Sequence, residues 1–105
     1  MDFKDLIEFL RKKGIICKKI EKTELNTKKK INAYLGVNIK NEYCLVLEFL
    51  KKSRFLLKDI ETLNEIIKKF PMNFRYKKKI LILHSPICSK AKEKLQDWRI
   101  FSDVS

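Results

Sequence analysis

INAYLGVNIKNEYCLVLEFLKK, residues Ile31 to Lys52, is the stretch that decides the fold. Ile31, Ala33, Leu35, Val37 and Ile39 alternate with Asn32, Tyr34, Gly36, Asn38 and Lys40. A period of two marks a strand with one buried face, because successive side chains leave a strand on opposite sides. Asn41-Glu42 is a polar turn. Beyond it, Tyr43 to Leu50 is apolar at odd and even positions alike, as in a strand covered on both faces. Glu48 is the only charge inside that strand. A buried carboxylate is costly without a partner, so Glu48 is the candidate catalytic residue of the chain.

Outward from the hairpin, Asp2 is an N-cap for a helix over Phe3 to Lys13, with Phe3, Leu6, Ile7 and Leu10 at helical spacing and Gly14 as the stop. Ile15 to Leu25 alternates loosely and predicts a first strand. Arg54 to Leu57 predicts a short edge strand after the hairpin. Asp59 caps a second helix carrying Ile60, Leu63, Ile66, Ile67 and Phe70 on one stripe, ended by Pro71. Ile80 to Leu83 is a central strand. Ser85 and Pro86 form an N-cap and first-turn pair for a third helix with Ile87, Ala91, Leu95 and Trp98 as its apolar positions. Arg99 to Phe101 adds a last short strand. The predicted fold is α/β, a three-layer sandwich with a mixed, mostly antiparallel sheet in the order α-β-β-β-(β)-α-β-α, one domain over 1–105.

This order resembles the restriction-endonuclease-like, PD-(D/E)XK, nuclease superfamily over nearly the whole chain. That resemblance implies an Asp on one hairpin strand, an acid and a Lys on the next, Mg²⁺ on the carboxylates and a water activated beside the Lys. Asn32, in KKINAYLGV, stands where the Asp is expected, Glu48 where the acid is expected, and Leu50 where the Lys is expected. KILILHSPICSKAKEKLQDWRIF resembles the last strand and helix of the family. Asn32 offers a neutral amide oxygen, whereas Mg²⁺ favours carboxylates. Lys51 points to the face opposite Glu48, and Lys52 is four residues on, roughly 13 Å away at about 3.3 Å per residue. Glu24 and Glu61 are candidates for a second acid. The expectation is a nuclease-like domain without catalysis and without a cofactor, Mg²⁺ being needed only if nuclease activity holds.

The charge points to the partner. Lys and Arg number 25 against 13 Asp and Glu, a net charge of +12. Such an excess favours polyanions, first DNA or RNA through phosphate contacts, then an acidic protein. Lys51, Lys52 and Arg54 are one candidate binding cluster, with Lys58 nearby and Lys28 to Lys30 as an extension. Phe74, Arg75, Tyr76, Lys77, Lys78 and Lys79 are a second, in which aromatics would stack on bases while cations neutralise phosphates. An interaction module using its charge for solubility or an acidic partner is the alternative. No apolar run has the roughly 20 residues of a membrane helix. The start MDFKDLIEFLRKKG lacks a signal-peptide pattern, and Cys17, Cys44 and Cys88 show no CxxC spacing, so a reducing cytoplasm is expected. Oligomeric state is not encoded in any of these features.

Two further groups bear chemistry. Cys88, in HSPICSKAKEKL, is predicted in the first turn of a helix, where the helix dipole favours a thiolate. Its Pro-x-Cys-Ser-Lys setting is similar to an element of arsenate-reductase-like, thioredoxin-fold proteins. That element opens those folds, whereas 17 residues follow Cys88 here. His84, the sole histidine, reads as a hydrogen-bonded residue at a strand end.

Overall fold

The computed structural model describes residues 2–23, 30–68 and 76–102. Helix α1 (Phe3–Lys12) begins where Asp2 accepts the Asp5 N–H at 2.8 Å. It ends in a Schellman motif: Ile15 N–H bonds Leu10 O, Gly14 N–H bonds Arg11 O, and Gly14 takes φ 79°. Only glycine adopts that conformation without strain. Strands β1 (Cys17–Thr23), β2 (Ile31–Asn38) and β3 (Tyr43–Phe49) follow, then α2 (Leu57–Lys68), β4 (Tyr76–Leu83), α3 (Ser89–Lys94) and β5 (Arg99–Phe101).

The strands form one sheet in chain order. β1–β2 and β2–β3 pair antiparallel, while β3–β4 and β4–β5 pair parallel, so the sheet is evenly mixed and not mostly antiparallel as expected. Parity along β3 and β4 divides the core in two. Leu45, Leu47, Phe49, Leu81 and Leu83 pack with Leu63 and Ile66 of α2 and Ala91, Leu95 and Trp98 around α3. Val46, Ile80, Ile82 and Tyr34 pack with Leu6 and Leu10 of α1. Both faces of β3 and β4 are therefore covered, as their unbroken apolar runs require.

Several expectations are corrected. Ile39 lies beyond β2, in the turn, and is exposed. The turn is organised by Asn38, whose side-chain oxygen accepts the N–H groups of Lys40 and Glu42, and Asn41 takes φ 64°. The even side of β2 is not solvated: Tyr34 is buried under α1 beside Phe3. The edge strand over Arg54 to Leu57 reduces to one bridge between Phe55 and Ile87, because Phe55 is fully buried edge-on to Phe49 and Leu57 already opens α2. That bridge also delays α3. Phe55 O accepts the Cys88 N–H, so Ser85 and Pro86 stay outside the helix and Cys88 is its N-cap.

Candidate functional site: the Glu48 cluster and the basic surfaces

Register fixes the surroundings of Glu48. Asn32 of β2 and Ile82 of β4 are its backbone partners on either side, and His84 stands two residues beyond Ile82 on the same face. The Glu48 side chain is fully buried. Asn32 Nδ2 donates to Oε1 at 3.1 Å, and His84 Nε2 lies 2.7 Å from Oε2. Both oxygens are thus bonded from neighbouring strands, which offsets the several kcal/mol that burying a charge costs. Tyr34, beside the cluster, has its hydroxyl pushed up by burial and by the Glu48 and Asp2 charges.

Of the acids proposed for completing a metal site, Glu61 does not converge here. Glu61 is on α2, which packs on the opposite sheet face, and Glu24 lies outside the described residues. Leu50 follows β3, its N–H bonded to Lys30 O.

The two basic clusters separate. β3 and β4 are parallel with Tyr43 opposite Tyr76, so residues 76–79 flank the start of β3 and Lys51 to Lys58 follow its end. The two lie roughly 20 Å apart at about 3.3 Å per residue. At the far end, Lys51 is bound to Asp59 at 2.7 Å and is partly shielded. Asp59 Oδ2 also accepts the Leu56 N–H at 2.8 Å, so Asp59 caps α2 by reaching back from its third residue instead of preceding the helix. Lys30, Lys52, Arg54 and Lys58 are exposed, and among the described residues none is in an ion pair. At the near end, Lys79 binds Asp97 at 2.6 Å and sits over the Trp98 ring. This contact holds the Asp97 carboxyl below its ordinary range. Lys78 is exposed beside Cys44. Phe74 and Arg75 lie outside the described residues, as do the side chains of Tyr76 and Lys77.

With this geometry in hand, comparison with known proteins bears on the fold. No family model matches the chain, and no curated protein matches it. Among solved structures, EndoMS in apo form aligns with a TM-score of 0.58 at 17% identity, over 97% of this chain. The chain shares the fold of that EndoMS chain. The chain spans 46% of the length of that EndoMS chain. At this identity the likeness concerns the fold alone.

The cysteines differ in setting. Cys88 Sγ accepts the Ala91 N–H at 3.4 Å, so Cys88 is the N-cap of α3 and not a residue of its first turn. The neighbouring Cys44 thiol lowers that of Cys17 to about 7, Cys17 and burial raise that of Cys44, and Cys44 Sγ lies 3.8 Å from Glu42 O. Sequence reading passed over this pair, because 26 intervening residues conceal a neighbourhood that depends on the pairing of three strands. The link between His84 and Glu48 was concealed in the same way.

Proposed function

We propose that this chain is a small nucleic-acid-binding domain of restriction-endonuclease-like fold, contacting the phosphates of DNA or RNA, in which Glu48 is structural and not catalytic. The observation that carries the binding is the group Lys30, Lys52, Arg54 and Lys58, exposed together where β3 leaves the sheet. Among the described residues none of these cations is in an ion pair, so their charge is open to phosphate, with counterions released on contact. Lys51 contributes less, being bound to Asp59. Lys78 is a second, separate contact, and Lys79 is tied to Asp97.

The Glu48 cluster supports the absence of catalysis. Asn32 turns its amide nitrogen, not its oxygen, toward the carboxylate, and His84 holds the other oxygen. Such a donor set does not fit Mg²⁺, which takes oxygen ligands, and no catalytic step is derived from it. The nuclease-like fold supports a nucleic-acid role without specifying it.

Fluorescence anisotropy with short labelled duplexes and single strands tests this. Lys52→Glu/Arg54→Glu/Lys58→Glu should remove most binding at low salt, and Lys78→Glu should weaken it less. If the triple variant binds like the parent while folded, the assigned surface is wrong. Incubation with plasmid and Mg²⁺ should show no cleavage; cleavage lost in Glu48→Ala would instead establish a divergent nuclease.

A further inference from the structure

The end of the sheet where β4 begins is stepped, and cations collect at the step. β5 joins β4 only at Ile80, which pairs with Arg99, so Lys78 and Lys79 lie ahead of the first β5 partner. A notch of about 210 Å³ opens there, lined by Lys78, Lys79, Asp97 and Arg99 over the apolar Ile15 and Ile80.

Strand parity sorts these side chains. Ile80 and Phe101 pack on the α1 side, and Lys78 and Arg99 share that face. Lys79 takes the other face, where it binds Asp97 at 2.6 Å and sits over Trp98. Arg99 is held in place: its Nη2 donates to Lys13 O at 2.9 Å, and its guanidinium lies 5.3 Å from the Phe101 ring. The Lys13 ammonium lies 5.7 Å from that ring and from the Phe9 ring. Lys78 and Arg99 are two residues apart along the sheet and one strand apart across it. Their Cα atoms are therefore separated by roughly 8 Å, at about 3.3 Å per residue and about 4.8 Å per strand. Two long side chains at that spacing reach one group set between them.

The step gathers charge that the fold leaves unbalanced. Asp97 is engaged by Lys79, and among the described residues Lys13, Lys78 and Arg99 are in no ion pair. Like charges brought together without a carboxylate weaken the folded state by repulsion, which a bound anion relieves. We propose that this notch binds a phosphomonoester, Arg99 and Lys78 holding its oxygens while Lys13 adds charge, and that in a nucleic acid the group is the terminal phosphate of a strand. The strand-end assignment rests on the nucleic-acid reading above, whereas the phosphomonoester site does not. The bond to Lys13 O leaves Arg99 further N–H donors in the planar fork that suits phosphate. Size and charge select the group. Pockets for drug-sized ligands start at roughly 300 Å³, so this one takes a phosphate and not a whole nucleotide. A phosphomonoester carries about −1.5 to −2 charge at neutral pH, more than a backbone phosphodiester, and so gains more from the gathered cations.

Inorganic phosphate titrated into the full chain at constant ionic strength, read by ¹H–¹⁵N NMR, tests the site. The Lys78 and Arg99 amides should shift at lower phosphate concentration than those of Lys52 and Arg54, and Arg99→Gln or Lys78→Gln should remove that preference. Shifts equal at both ends of the sheet, or unchanged in both variants, would overturn the site. Circular dichroism verifies folding, and Lys78→Gln, which alters an exposed side chain, decides alone if Arg99→Gln does not fold. Anisotropy then identifies the source, using one internally labelled single strand with a phosphate at its 5′ end, at its 3′ end or at neither. At least one phosphorylated strand should bind roughly tenfold tighter than the hydroxyl-ended strand, the worth of one charge-assisted hydrogen bond. Arg99→Gln should erase that difference. Equal affinity of all strands would overturn the strand-end assignment. Binding of none at low salt would reject the nucleic-acid reading instead, and the phosphate shifts would still decide the notch.

Discussion

Glu48 shows how a residue suspected from sequence acquires its role from neighbours that sequence does not align. Its position inside an apolar strand was legible, because one acid in Tyr43–Phe49 breaks an otherwise continuous run. Its partners were not, since they depend on the registers of β2 with β3 and of β3 with β4. His84→Ala would leave the buried carboxylate with one of these two bonds removed, and should destabilise the fold by about 3 kcal/mol in urea denaturation. A change within experimental error would remove the structural role assigned to the pair. Lys79 and Asp97 make the opposite kind of pair, since the carboxylate is mostly exposed and the contact contributes under about 1 kcal/mol. Because the Asp97 carboxyl is lowered on folding, that contribution is present above the ordinary carboxylate range and is lost as pH falls through the folded value. Lys79→Met should return the carboxyl toward its ordinary value in an NMR titration; an unmoved resonance would contradict the contact.

Element boundaries follow local chemistry where that chemistry is complete. Asp2 and Gly14 delimit α1 as their residue types require. The start of α3 was less legible: Ser85 and Pro86 have the chemistry of a helix start, but the bridge between Phe55 and Ile87 holds that segment extended until Cys88. Tertiary pairing overrides a local signal there. β2 was half legible, since its odd positions are apolar as expected while Tyr34 is buried by α1 on the other face. Asp59 anchors the start of α2 through Leu56 N–H and Lys51 together. Asp59→Ala should therefore cost about 1 kcal/mol by thermal or urea unfolding, and a neutral result would exclude that capping role. Gly36→Ala brings a Cβ to 3.1 Å from Lys19 O, so β1 must shift. A loss of about 1–2 kcal/mol is expected, with altered amide exchange confined to β1 and β2; unchanged exchange would mean the strands accommodate a side chain there.

For the whole molecule, the α/β class was legible from periodicity, and the likeness to the EndoMS fold agrees with it. The distribution of charge was not, because a net charge of +12 does not say which cations already have partners. Lys51 and Lys79 are engaged by Asp59 and Asp97, whereas Lys30, Lys52, Arg54 and Lys58 are left exposed at one end of the sheet. The two basic clusters read from sequence thus belong to opposite ends of the sheet, with Lys78 at the other one. The most direct test of a phosphate-binding role is the affinity of the full chain for a short duplex or single strand across a series of salt concentrations. Binding at low salt is expected, with the logarithm of affinity falling linearly against the logarithm of salt. The slope should become shallower by roughly one for each contacting cation removed among Lys52, Arg54 and Lys58. No binding at low salt, or an affinity indifferent to ionic strength, would contradict it.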